Sequence, residues 1–90
     1  MYAVTQTVAI SDRAAAEAGL GHVVPQVSGL PGFVAGYWMA RDANQGLALV
    51  VFDSEEGARS FADFLKVTPG APGVAPDRER IDVCEVFASV

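Results

Sequence analysis

Residues 33 to 52, "FVAGYWMARDANQGLALVVF", decide the fold. Two apolar runs, "FVAGYWMAR" and "GLALVVF", flank "DANQG", whose Asp, Asn and Gly are residue types that tolerate a tight reversal. The arrangement predicts a β-hairpin. Successive side chains of a strand point to opposite faces, so Leu47, Leu49 and Val51 lie on one face and Ala48, Val50 and Phe52 on the other. Both sets are apolar. The first run behaves in the same way, with Phe33, Ala35, Tyr37 and Met39 on one side and Val34, Gly36, Trp38 and Ala40 on the other. A hairpin with one face in water alternates apolar and polar residues. This one needs a cover on each face.

Working outward, "YAVTQTVAI" alternates and is rich in β-branched residues, which predicts a strand over Tyr2 to Ile10. "SDRAAAEAGLGHVVPQVSGL" reads as a helix. Ser11 or Asp12 caps it, the alanine run favours it, and Ala16, Leu20, Val23 or Val24, and Val27 recur at helical spacing. Gly19 and Gly21 weaken that helix, and Pro25 is expected to kink it or begin a new turn. Gly29 is expected to close it in the left-handed conformation, with Pro31 holding Leu30 out of the helix. After the hairpin, "DSEEGARSFADFLKV" predicts a second helix. Asp53 is its expected cap, Glu56 follows three residues on, and Ala58, Phe61, Ala62 and Leu65 form its buried stripe. "TPGAPGVAP", with three of the five prolines, predicts an extended loop, and "ERIDVCEVFASV" a last strand.

The order βαββαβ is that of a ferredoxin-like α+β unit: one domain over residues 1–90, with a four-stranded antiparallel sheet and two helices on one face. Two helices cover only one apolar face. The other cover is most simply the same face of a second copy, packed about a two-fold axis as a homodimer. Composition agrees, because 51% hydrophobic residues is a high fraction for a chain of 90 residues. With a net charge of -5 and a single lysine, Lys66, no basic stripe exists to neutralise phosphates, so no nucleic-acid partner is expected. The longest apolar block, "LALVVF", is too short to span a bilayer, and the N-terminal segment lacks the basic start and long apolar run of a signal peptide. The lone Cys84 excludes an intramolecular disulfide. A cytoplasmic protein with no membrane partner is expected.

Leu30-Pro31-Gly32-Phe33 between the first helix and second strand, together with "VVFDSEEGA" leading from third strand into second helix, resembles the dimeric α+β barrel superfamily and its antibiotic-biosynthesis-monooxygenase-like group. The resemblance covers nearly the whole chain in element order. It implies a homodimer whose sheets form a barrel, and a small-molecule cavity between sheet and helices. It does not imply one function, since members include cofactor-independent oxygenases acting on polyphenolic polyketides, haem-degrading enzymes and muconolactone-isomerase-like proteins. The haem-degrading branch carries an Asn on the first strand, a Trp on the third and a His on the second helix. The corresponding elements here, "YAVTQTVAI", "GLALVVF" and "SEEGARSFADFLKV", hold none of the three. The oxygenase branch depends on Asn and Trp around a third strand that is here wholly apolar, while Trp38 falls on the second strand and Asn44 in the hairpin turn.

Among residues able to do chemistry, His22 is the candidate general base, because imidazole titrates near neutrality and it falls beside the apolar stripe of the first helix. No carboxylate at a fixed spacing orients it, so the alternative is a partly exposed histidine at a helix irregularity. Trp38 and Tyr37 point to opposite faces of their strand, so one can line a cavity while the other packs in a dimer seam. Cys84 is expected to be a small buried strand residue. No metal-ligand spacing and no phosphate-binding glycine pattern occurs, and no cofactor is expected. Two functions follow: a homodimer that binds a small apolar or aromatic molecule between sheet and helices, or a cofactor-independent monooxygenase or isomerase acting on a phenolic substrate. The second requires His22 to face the cavity, with Tyr37 or Trp38 holding the substrate.

Overall fold

The computed structural model describes residues 1–90. The elements run β1 (Tyr2–Ile10), α1 (Arg13–Ser28), β2 (Phe33–Ala40), β3 (Gln45–Phe52), α2 (Glu55–Val67) and β4 (Val74–Glu85). The strands form one antiparallel sheet in the order β2-β3-β1-β4. Both helices lie on one face of it, which is the ferredoxin-like α+β arrangement expected from the sequence. No helix is long and apolar enough to cross a membrane.

The hairpin forms as read, with Asp42 accepting the Asn44 N–H at 2.8 Å inside the reversal. Its two faces are apolar, but a bulge refines the expected partition. The register slips between Phe33 and Ala35, so Phe33 opposes Phe52 and joins the face of Gly36 and Trp38. Cross-strand partners share a face, which groups Val4, Gln6 and Val8 with Val50, Ala48 and Gly46 beneath the helices. Thr5, Thr7, Leu47, Leu49, Tyr37 and Met39 form the opposite face, which no helix covers.

The core gathers where α2 meets the sheet. Val4, Val50, Phe52 and Ile81 pack against Ala58, Phe61 and Ala62 of α2 and against Val27 of α1. The rings of Phe52 and Phe61 lie 5.4 Å apart at 46°, a favourable tilted contact. The helices differ sharply. Ala58, Phe61 and Ala62 of α2 are buried as expected, whereas Val27 is the only buried residue of α1. Ala16, Leu20 and Val23 are half-buried, and Val24 is exposed.

Three local expectations are corrected and one is narrowed. Asp12 caps α1 by accepting the Ala15 N–H at 3.1 Å, but α1 continues through Pro25 to Ser28. Gly21, whose carbonyl would have bonded residue 25, is exposed, so the site of the missing donor is open to solvent. Gly29 ends the helix with right-handed angles, φ -87° and ψ -3°. The left-handed residue is Gly32, at φ +81°, where a Cβ would sit 2.6 Å from an Asp53 carboxylate oxygen. Asp53 is held extended by its N–H bond to the Gly32 carbonyl at 2.9 Å, so the cap of α2 falls one residue later, on Ser54, which accepts the Gly57 N–H at 3.1 Å. Finally, β4 begins at Val74 and ends at Glu85. Pro76 is tolerated because β4 is an edge strand, and a break in register between Gln6 and Val8 absorbs the charged stretch that follows.

Candidate functional site

Between α1 and the sheet lies a cavity of about 450 Å³. Its origin is a run of small residues on both sides. Ala16 and Gly19 face it from α1, and Gly46 and Ala48 from β3, so neither layer reaches the other. A methyl group added at Gly19 would touch nothing within 4 Å. The remaining wall is chiefly aliphatic and aromatic, with Val4, Val8 and Ile10 from β1, Leu20 and Val23 from α1, and Phe61 and Leu65 from α2. Of the positions that recur at helical spacing along α1, only Val27 is therefore buried.

Trp38 lies in this wall and packs against the core. Its placement depends on Gly36. A Cβ there would fall 2.8 Å from Cη2 and Cζ3 of the indole, so the bare glycine backbone is the platform on which the ring rests. Ala48 is the cross-strand partner of both Trp38 and Gln6 and thus forms the floor between them. Gln6 is half-buried, lines the cavity, and makes no side-chain hydrogen bond within the protein. An amide free to donate and accept, set among valines, is the chief directional polar feature of the floor. At the rim, Arg13 Nε bonds Glu17 Oε1 at 3.1 Å, an exposed pair that leaves the mouth without net charge.

The structure separates the residues singled out from the sequence. Trp38 borders the cavity. Tyr37 is 57% exposed on the uncovered face, opposite Leu49. His22 is exposed on α1 and is not part of the cavity wall. Cys84, expected to be buried, is exposed: it pairs with Ala3 on the face that no helix covers, and whereas Ala3 on the central strand β1 is buried between its neighbours, Cys84 on the edge strand β4 is open on its outer side. Sequence reading missed Gln6, although a signal was present: along the face Tyr2, Val4, Gln6, Val8 and Ile10, one side chain breaks the apolar series. It also missed the loop Thr68 to Ala71, which forms part of the rim. No group of three or more His, Cys, Asp or Glu side chains comes together in a way that could hold a metal ion.

One ionisable group outside the cavity is perturbed. The Tyr2 hydroxyl donates to Glu85 at 3.3 Å, and the negative charges of Glu55 first and Glu85 second raise its pKa above the ordinary tyrosine value.

No family model matches the sequence, and no curated protein matches it. Among solved structures, the chain is similar to MhuD, a haem-degrader from Mycobacterium tuberculosis determined with two haems bound in its active site. The similarity has a TM-score of 0.63 at 15% identity and covers 98% of each chain. The two chains share a fold. At that identity the likeness concerns architecture, and it agrees with the fold that the sequence resemblance implied. Of the residues that serve as the sole protein ligand of a haem iron, the cavity wall carries no His, Cys or Tyr.

Proposed function

We propose that this protein is a homodimer that binds a small, uncharged apolar or aromatic molecule between sheet and helices. One observation carries the reading: a cavity of about 450 Å³ whose mainly apolar wall holds the flat indole of Trp38 and, across the floor from it, the unpartnered amide of Gln6. That volume lies within the range of about 300–1,000 Å³ common for ligand sites, and so does the mixture of apolar walls with a few polar groups. The ring stacks the ligand, and the amide selects for a hydroxyl or carbonyl at its inner end. The charge-balanced Arg13–Glu17 rim calls for no charge on the ligand. Dimerisation through the uncovered face, with Tyr37, Met39, Leu47 and Leu49 in the seam, supplies the second cover that the apolar sheet needs. An enzyme acting on a phenol has less support, because its candidate base, His22, stands outside the wall.

Trp38 is the only tryptophan and reports binding directly. Titration with 2-naphthol should quench its fluorescence saturably, and naphthalene should bind about tenfold more weakly, the value of roughly one hydrogen bond. Gln6→Leu should erase that preference, and Ala48→Leu, which fills the floor, should abolish binding of both. Absence of saturable quenching by either probe would refute the reading. So would equal preference in wild type and Gln6→Leu.

A further inference from the structure

The cavity beneath α1 does not stop where α1 meets the core. A second hollow of about 630 Å³ lies in the cleft between the last turn of α1 and the first half of α2. Small residues open it, as they open the first: Gly57 and Ser60, three positions apart on one side of α2, face the cleft. Four residues, Gln26, Val27, Phe61 and Phe64, belong to the walls of both hollows. Val27 and Phe61 are buried in the core and form a fixed sill between the two. Gln26 and Phe64 stand over that sill, and both are exposed, Phe64 by 57%. The Gln26 amide makes no side-chain hydrogen bond within the protein. Exposed side chains change rotamer on the picosecond to nanosecond scale, so the partition above the sill can open.

The second hollow has its own chemistry. Leu30 and Pro31 give it an apolar side, while Asp53, Glu56 and Ser60 supply oxygen atoms. Neither carboxylate is in an ion pair, and no Lys, Arg or His lines the space. Such a lining accepts hydrogen bonds from a hydroxyl and repels an anion. We propose that the two hollows form one trough for an elongated, uncharged ligand. Its apolar or aromatic head lies on Trp38 and Gln6, and a hydroxyl-bearing arm crosses the sill past Gln26 and Phe64 to reach Ser60, Asp53 and Glu56. The thirteen residues of α2 flank the whole trough, which makes it about 20 Å long at 1.5 Å per residue. This inference rests on the cavity reading and goes beyond it by giving the ligand a second part.

Three probes test it through Trp38 fluorescence: 2-naphthol, and 2-naphthol extended at the ring end remote from its hydroxyl by a hydroxyhexyl or a carboxypentyl arm. Each is titrated into wild type and into Ser60→Tyr, whose added ring occupies the second hollow from an exposed position on α2. The hydroxyhexyl probe should bind wild type about tenfold more tightly than either of the others, the worth of roughly one hydrogen bond to a carboxylate. In Ser60→Tyr that advantage should vanish, while 2-naphthol, which does not reach past the sill, binds as before. A hydroxyhexyl probe no tighter than 2-naphthol, two arms of equal affinity, or an advantage retained in Ser60→Tyr overturns the trough and leaves the cavity reading standing. The first two comparisons need no variant. Failure of all three probes to quench saturably overturns both.

Discussion

Gly36→Ala tests whether the cavity wall is organised as described. The added methyl carbon would stand 2.8 Å from two indole carbons of Trp38 and 3.4 Å from a ring carbon of Phe33. Carbon atoms rest at about 3.5–4.0 Å, so the indole must withdraw by roughly 0.7 Å or more. The new methyl would sit between the indole and Phe33, and the cavity that Trp38 lines lies open, so the ring tips into that space. Overpacking of a closed core costs about 1–3 kcal/mol, and with an open side available the cost falls near 1 kcal/mol, or about 4–8 °C in Tm for a domain of this size. The ring position matters more to the ligand than to stability, so affinity for 2-naphthol should fall at least tenfold while the far-UV spectrum is unchanged. The Trp38 emission maximum should shift in the free protein. Melting, emission and titration give the three readouts. If emission, Tm and affinity all match wild type, the indole does not rest on Gly36 and the proposed wall is wrong.

Other residues give sharper tests of the fold. Phe52, 1% exposed and in tilted contact with Phe61, should cost about 3–5 kcal/mol as Phe52→Ala, enough to unfold most of a marginal domain, as urea denaturation would show. Arg78 donates through Nε to the Lys66 carbonyl and through a terminal nitrogen to the Thr68 carbonyl, both at 2.8 Å, closing the C-terminus of α2. Because water can replace it there, Arg78→Ala should lower stability by about 1 kcal/mol, and the loss should survive in Arg78→Lys, whose single ammonium cannot span both carbonyls. Tyr2 titrates higher when folded than when unfolded, so the fold is undiminished below the ordinary tyrosine pKa and loses stability as pH rises past it toward the folded value. Tyr2→Phe should remove that alkaline loss from a series of thermal melts, and an identical pH profile in the variant would count against the Glu55 and Glu85 assignment.

Element order and the hairpin were legible because periodicity reports which faces are apolar, and that property survives without knowledge of neighbours. The buried stripe of α2 was legible for the same reason. Legibility failed where tertiary contacts choose between local alternatives. Either Asp53 or Ser54 can cap α2, and the choice follows from the Asp53 N–H being taken by Gly32 across the turn. Cys84 reads as a buried strand residue until its partner Ala3 places it on the uncovered face. The site was half legible. Trp38 stood out as a unique aromatic on a strand, but His22 drew attention by chemistry alone, while Gln6 became visible only when β1 was read as a face with one polar interruption.

The small residues of α1 and β3 carry more meaning than their chemistry suggests. A sealed, dry void destabilises a protein by about 24 cal/mol for each Å³, so 450 Å³ would correspond to roughly 11 kcal/mol, comparable with the whole stability of a small domain at about 5–15 kcal/mol. A chain of 90 residues cannot carry such a void, so the space is one that water enters and a ligand can take over. Filling it requires little from the sequence: a leucine in place of Ala48 would bury apolar area and tighten α1. The alanine and glycine positions thus oppose stability and favour an accessible interior. That combination, on a helix with a single buried residue, is what the proposed binding site requires.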